Sequence, residues 1–435
     1  MRKDSNNRES TFLVYLDELG EEKMTRGTAC DKVVWWLNDC EWCRKHLTKQ
    51  TYFTREGAKL TLQRMVMLIL TSTRKSMQIE VNSFFRRLQL GMKAISKQGC
   101  FEAREKLSYT ALKQLVIDVV DFVEKEVDNE EIRMYMGFRP IAVDGSVLDV
   151  PPDAMEDFGY QPTVGEPCPQ ARALAFVDVL NNFILRAQMD SCDKGERVLE
   201  TELLSGYNIK STDLFLHDRG FYSYDLAKEI NRRGASFIFR VKRNCQKDID
   251  AAELPDQEIF VRDLKLRVVN VTLDNGEVEK LVTNIFEKGF TEEFFKHVYN
   301  MRWGIETTYM RLKERLEIEN FSSGKKNLIL QDFYASVAVY NLTSLASYEA
   351  QERLQSEGEA KGLKHPRKPN MNIAFSEMRA LLFEALCGTK SFKKGMKEFT
   401  EAIMRNPNPV RPGRSYPRKV KHPLAKFSMN GKRCS

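Results

Sequence analysis

No apolar run in this sequence is long enough to cross a bilayer. The longest, Met65–Leu70, is far short of the about twenty residues that a spanning helix needs. The N-terminus, MRKDSNNRES, is polar and no apolar leader core follows it, so no secretory signal is expected. A disulfide framework is missing too. The nine cysteines are odd in number and scattered, which fits a reducing cytoplasm. No internal repeat is visible. From Arg405 to Ser435 there is no Asp or Glu, but there are nine Lys or Arg. That tail exceeds the +7 net charge of the whole 435-residue chain. Such a tail suits a polyanion, most commonly nucleic acid, with plain solubility as the alternative.

What is present supports sizeable cores. The chain is 42% hydrophobic with 26 Phe, so it is globular, with length for two or three domains or one large one with insertions. Residues 1–30 read as a polar arm. From about 31 to 130 the segments REGAKLTLQRMVMLIL, SMQIEVNSFFRRLQLG and LSYTALKQLVIDVVDFVEKEV carry apolar residues at helical spacing. Arg64, Arg74, Lys75, Arg86, Arg87 and Lys93 interleave with them, giving a helical domain over 1–135 with a basic side. DNA binding is one use of it and a structural cap is another. Cys40-Glu-Trp-Cys43, with Cys30 and His46 nearby, is a weak zinc pattern, since a second CxxC or HxxxH is lacking. A buried helix explains those residues equally well.

The character changes near residue 138. FRPIAVDGSVLDV reads as a strand, and ARALAFVDVLNNFILRAQM as two strands joined at Asn181-Asn182. A helix, the strand of STDLFLHDRGF, a second helix and the strand ASFIFRVKR follow. The order β-β-β-α-β-α-β predicts a mixed α/β sheet, antiparallel first and βαβ after. Residues 243–290 are β-rich, with a hairpin around Asp274-Asn275-Gly276, and interrupt that pattern as an insertion. The main domain then resumes and runs to about 350. Lys361–Pro369 reads as a linker, 372–404 as a helical segment, and the basic tail completes a C-terminal region over 351–435.

The stretch Tyr299–Lys313, YNMRWGIETTYMRLK, places a phenol, a guanidinium, a carboxylate and an ammonium at Tyr299, Arg302, Glu306 and Lys313. On one helix these fall at about 0°, −60°, −20° and −40°, a single narrow face. Met301, Ile305, Leu312 and Leu316 form an apolar stripe opposite. A solvated face is the commoner fate of such charges.

Two-metal phosphoryl transfer needs about three carboxylates in one cleft, because Mg²⁺ prefers hard oxygen donors. Asp144 lies on the first strand, Asp218 follows the apolar run Leu214–Leu216 at a strand mouth, and Glu306 lies on a helix beside the sheet. Asp149 and Asp178 are rival carboxylates, read as loop and strand-edge residues.

With these residues in place, the chain resembles the insertion-sequence-four family of DDE transposases. The resemblance rests on Tyr-x2-Arg-x3-Glu-x6-Lys over 299–313, on IAVDGS, LNNFILRAQ, GER, DRGFYSYDLAKEINRRGASFIFRVK and NFSS, and on both upstream Asp. It covers roughly 135–345 well and the helical N-terminus loosely. It implies a ribonuclease H-like catalytic domain over 136–350, with a β-domain inserted between Asp218 and Glu306. Asp144, Asp218 and Glu306 would hold two Mg²⁺ or Mn²⁺ ions. Tyr299, Arg302 and Lys313 would hold phosphates of the transposon end, with Arg219 and Lys242 as further phosphate candidates. The implied activity is cleavage of double-stranded DNA at transposon ends, then attack by the freed 3′-OH. A homodimer on DNA, free of membranes and associated with a prokaryotic nucleoid, is implied as well. A hairpin pathway would need an aromatic for a flipped base, for which Phe286, Phe290 and Trp303 are candidates. The rival readings are a decayed transposase that only binds DNA, a ribonuclease H-like nuclease that never joins strands, and a zinc-dependent binding module.

Overall fold

The computed structural model describes residues 24–89, 91–161, 168–273 and 276–411. The N-terminal arm before residue 24, the basic tail from 412 and the Asp274-Asn275 turn lie outside the described residues. Among the described residues, no helix is long and apolar enough to cross a membrane.

Among the described residues the main sheet has eight strands of five or more residues, with the two-residue strand Tyr160–Gln161 added at Cys168–Pro169. The eight are β1 (Arg139–Asp149), β2 (Cys168–Asp178), β3 (Phe183–Ser191), β4 (Asp213–His217), β5 (Ser236–Arg240), β6 (Asp256–Val261), β7 (Leu264–Thr272) and β8 (Val278–Thr283). Their order is β3-β2-β1-β4-β5-β8-β7-β6. The first three neighbours pair antiparallel, while β1, β4 and β5 run parallel. This is the mixed sheet expected from the strand–helix order, antiparallel first and parallel after. The β2–β3 turn falls at the expected asparagines: Asn182 takes φ 51°, a left-handed conformation that Asn tolerates. The Asp178 carboxylate accepts the Asn181 backbone N–H at 3.0 Å.

The β-rich segment before residue 290 continues the main sheet. Strand β8 pairs antiparallel with β5, and β7 and β6 follow as a meander. The segment therefore lengthens the catalytic sheet.

The two faces of the sheet carry different layers. Leu214, Leu216 and Ile238, with Val269, Val271 and Leu281, pack on Phe294, Phe295, Val298 and Tyr299 of the Glu292–Asn300 helix. The alternate residues Phe215, His217, Phe237 and Phe239 form an aromatic layer on the other side, as strand periodicity requires. On that side the Glu196–Ser205 helix packs against β2 and β3.

The helices before residue 135 and those after 360 pack on one another around the long Lys326–Ala360 helix, which also covers β3. An ion-pair knot fastens this layer. Asp332 is ion-paired with Arg74 at 2.7 Å, and accepts from Arg104 at 2.9 Å and from the Ser322 hydroxyl at 2.6 Å. Arg74 is thus a buried structural cation and leaves the expected basic side. Arg86 and Lys93 remain exposed. The Arg87 guanidinium lies 3.6 Å from the Phe383 ring centroid.

The cysteine cluster belongs to the core. Cys30, Cys40 and Cys43 are buried, and each S–H donates to a backbone carbonyl. Burial raises the Cys30 thiol, while the Cys40 contact and burial raise Cys43, which disfavours the thiolate that zinc needs. The Lys361–Pro369 stretch is tied down rather than loose, because Arg367–Lys368 pairs antiparallel with Asn408–Pro409.

Candidate active site

The parallel register assembles the site. Val143 pairs with His217, and His217 with Phe239. The next residue on each strand is Asp144, Asp218 and Arg240, so these three line up across the carboxyl ends of β1, β4 and β5, where open α/β sheets place their sites.

The Tyr299–Lys313 segment is two helices rather than one. Glu292–Asn300 ends, a tight turn runs through Met301 and Arg302, and Trp303–Glu314 begins. The turn is held by the Arg302 N–H on the Tyr299 carbonyl and the Gly304 N–H on the Met301 carbonyl. Gly304 permits the close approach: a Cβ there would meet Val179 at 2.9 Å. The apolar stripe docks as expected, with Ile305, Leu312 and Leu316 buried.

Despite the break, Tyr299, Arg302 and Glu306 converge on the strand ends. The Arg302 guanidinium is 3.5 Å from Asp144 Oδ2 and 3.3 Å from Glu306 Oε1. The Tyr299 hydroxyl reaches Asp218 Oδ1 at 3.5 Å and the His217 carbonyl at 3.4 Å. Both Tyr299 and Arg302 are buried, at 5% and 3% exposure. In this conformation they face the carboxylates, not solvent. Lys313 stands apart, donating to the Val147 carbonyl at 2.6 Å with Glu319 at 3.5 Å.

The environments of the two strand carboxylates diverge. Burial pushes Asp144 up to about 6; Arg302 and the Gly145 N–H oppose this, while Glu196 and Asp218 add to it. Burial acts on Asp218 in the same sense, but the Arg219 N–H, Arg240 and Arg302 outweigh it and hold that carboxyl below its ordinary value. Arg240 contacts Asp218 at 2.7 Å and also pairs with Glu279.

Arg219 is exposed at the rim, 3.8 Å from Glu279, and Lys242 is exposed beyond β5. The rivals are structural: Asp178 is buried against Arg139 at 2.7 Å, and Asp149 accepts from Gln170 at 3.0 Å. Among the three aromatics, Phe290 is packed between Phe138 and Phe294, which removes it as a stacking platform. The Lys265 ammonium lies 4.7 Å from the Phe286 ring centroid. Trp303 is half exposed beside Arg302.

Three residues escaped the sequence reading. Arg240 becomes visible only once β5 is placed beside β4. Tyr309, buried, donates to the Asp144 carbonyl at 3.0 Å. Glu196 lies over Gly145, where an added Cβ would fall 2.2 Å from Glu196 Oε1. Its GER segment carries part of the family resemblance without naming a role for it.

The family described as Transposase DDE domain matches residues 136–342. Those residues are similar to a transposase DDE domain. The match begins just before β1 and ends inside the Lys326–Ala360 helix, so it spans Asp144, Asp218 and Glu306. The activity that belongs to the domain is DNA transposition. No curated protein matches the chain. One solved structure similar to it, the cryo-EM structure of a piggyBac transposase synaptic complex with hairpin DNA, is 14% identical. That similarity covers 90% of this chain and 87% of the other at a TM-score of 0.45.

Divalent cations fit the DDE domain by donor chemistry. Asp144, Asp218, Glu306 and Glu196 bring hard oxygen donors to the strand ends, against the guanidinium groups of Arg302 and Arg240. The Gly145 cradle admits the Glu196 carboxylate where any larger residue would fill the space. Among the described residues, no three acidic, His or Cys side chains are arranged to hold one ion. The Arg302 guanidinium lies between Asp144 and Glu306 instead.

Proposed function

We propose that this transposase is of the insertion-sequence-four type, and that Asp144, Asp218 and Glu306 hold two Mg²⁺ or Mn²⁺ ions at the ends of β1 and β4. The convergence of these side chains around Arg302 carries the reading. Bound there, the cations would supply an activated oxygen nucleophile and neutralise charge at the phosphorus. The chain's own residues do the rest. Asp144 and Asp218 are fixed by the sheet register, and Tyr309 pins the β1 backbone beside them. Arg302 neutralises Asp144 and Glu306 in the resting protein. When it moves off, its planar donors suit a phosphate bidentately. Tyr299 offers one hydroxyl donor beside Asp218.

The partner is double-stranded DNA, first the transposon ends and then the target, held by two copies of the chain. Arg219, Lys242 and the basic tail supply sequence-independent phosphate contacts. Lys313 serves the DNA only by exchanging its Val147 carbonyl for a phosphate. The cut frees a 3′-OH, which attacks a second phosphodiester in line, so no covalent enzyme intermediate is needed.

The test is Mg²⁺-dependent nicking of DNA bearing the ends that flank the gene, comparing the wild type with Glu306→Ala. Nicking at the end that vanishes in the variant is the expected result. Binding without cleavage by both proteins would refute the catalytic reading. Cleavage without joining in a strand-transfer assay would leave a nuclease.

A further inference from the structure

The Glu196–Ser205 helix approaches the site from the face of the sheet opposite to Glu306, and it is anchored by a fully buried pair. Glu200 Oε1 and His217 Nε2 are 2.6 Å apart, both completely inaccessible. His217 is the residue before Asp218, so this contact registers the helix against the strand that carries a catalytic carboxylate. Glu196 lies one turn earlier on the same helix face. It is thereby delivered to the end of β1, against Gly145 and beside Asp144.

The position is electrostatically unfavourable as it stands. Among the described residues, no hydrogen bond or ion pair holds the Glu196 carboxylate. Asp144, the residue before Gly145, feels it as a like charge. Two carboxylates brought together without a cation repel. Gly145 is what lets them approach, since a methyl there would overlap Glu196 Oε1, Cδ and Cγ at 2.2, 2.8 and 3.0 Å. Its φ is not in the left-handed region, so glycine is required here for space rather than for backbone freedom.

Building on the two-metal reading above, we propose that Glu196 is a fourth carboxylate of the cation site, completing with Asp144 the coordination of one ion from the side opposite Glu306. Asp144 then stands between two carboxylates delivered by two helices, one from each face of the sheet. A cation between Asp144 and Glu196 turns their repulsion into shared attraction. The Glu200–His217 pair acts as a positioning contact for it.

The experiment is Mn²⁺ titration of the full-length protein, read by electron paramagnetic resonance, with thermal unfolding measured with and without the ion. The proteins are the wild type, Glu196→Gln, Gly145→Ala and Glu306→Ala. The expected result is Mn²⁺ binding weakened about 10-fold or more in Glu196→Gln, the scale on which ligand-supporting groups act. Without metal, that variant should unfold at the wild-type temperature or above, since it removes one of two like charges. With Mn²⁺, its gain in unfolding temperature should shrink. Gly145→Ala, which pushes the carboxylate away without removing it, should weaken Mn²⁺ in the same direction.

If Glu196→Gln binds Mn²⁺ as the wild type does while Glu306→Ala does not, Glu196 is no ligand and the proposal fails alone. If the wild type binds no Mn²⁺, the two-metal reading fails with it. A Glu196→Gln protein already destabilised without metal would make Glu196 a structural residue and overturn the proposal.

Discussion

Asp332 gives the most exacting test of how the helical layer is fastened to the catalytic domain. Its carboxylate faces Arg74 and Arg104 and accepts both the backbone N–H and the hydroxyl of Ser322. Asp332, Arg74 and Arg104 are all at least 95% buried. Asp332→Asn keeps the shape, removes the charge and leaves two guanidinium groups in the interior without their counter-ion. Breaking a buried pair from one side costs about 3–5 kcal/mol, a large part of the about 5–15 kcal/mol that a typical domain has in total. Urea unfolding of the full-length chain at pH 7, followed by circular dichroism, should show that loss.

The pH dependence has a definite sign. Asp332 is a carboxyl whose folded affinity for protons is depressed: burial alone would raise it, but Arg104, Arg74 and Ser322 outweigh that and hold it far below its ordinary value. Its contribution is complete above the unfolded value of about 3.9 and is lost as pH falls toward the folded one. The gap between wild type and Asp332→Asn should therefore be full at pH 7 and narrow below about pH 4. A loss under about 1 kcal/mol at pH 7 would refute the reasoning, since unpaired buried guanidinium groups cannot be that cheap. So would a gap that widens on acidification.

Other consequences follow from single contacts. Gly304→Ala would drive a methyl into Val179, costing about 1–3 kcal/mol by overpacking and displacing Glu306 with its helix; end cleavage should fall, and adding Val179→Ala should restore part of it. Phe290→Ala should destabilise by about 2–3 kcal/mol, somewhat less than a fully buried Phe. Trp303→Ala should stay within about 0.5 kcal/mol in urea unfolding, so any defect it shows in processing DNA ends reports on DNA. Dialysis against a chelator should leave the unfolding midpoint of metal-free protein unchanged, with zinc well below one equivalent by atomic absorption, because Cys40 and Cys43 already donate to carbonyls.

The sheet was legible because its strands alternate and its connections are short. Asp218 was legible because it follows a run of apolar residues, and Glu306 through its spacing from Tyr299 and Arg302. The break at Met301–Arg302 was not, since the helical period of apolar residues passes through it undisturbed. The turn is accompanied instead by contacts distant in sequence, Gly304 with Val179 and Arg302 with Asp144. Arg74 looked like its exposed basic neighbours until Asp332, more than 250 positions away, came to meet it. The contact of Lys313 with the Val147 carbonyl was not legible either, since it arises because the end of β1 runs beneath its helix. Glu196 was hidden for a related reason. Its place depends on how a helix docks, and that docking is recorded in a pair, Glu200 and His217, whose local sequence gives no hint of their meeting.

The break before Trp303 also divides the site mechanically. Tyr299 rides on a helix seated on β7 and β8 as well as on the apolar face of β4 and β5. Glu306 rides on a helix seated on β1 and β2. Strain applied to the outer strands, as by a duplex pressing on them, would reach the phenol without shifting Glu306 from Asp144. Arg302, at the corner, is the side chain that would feel both, which makes it the natural place for loading at one edge to be read out at the carboxylates.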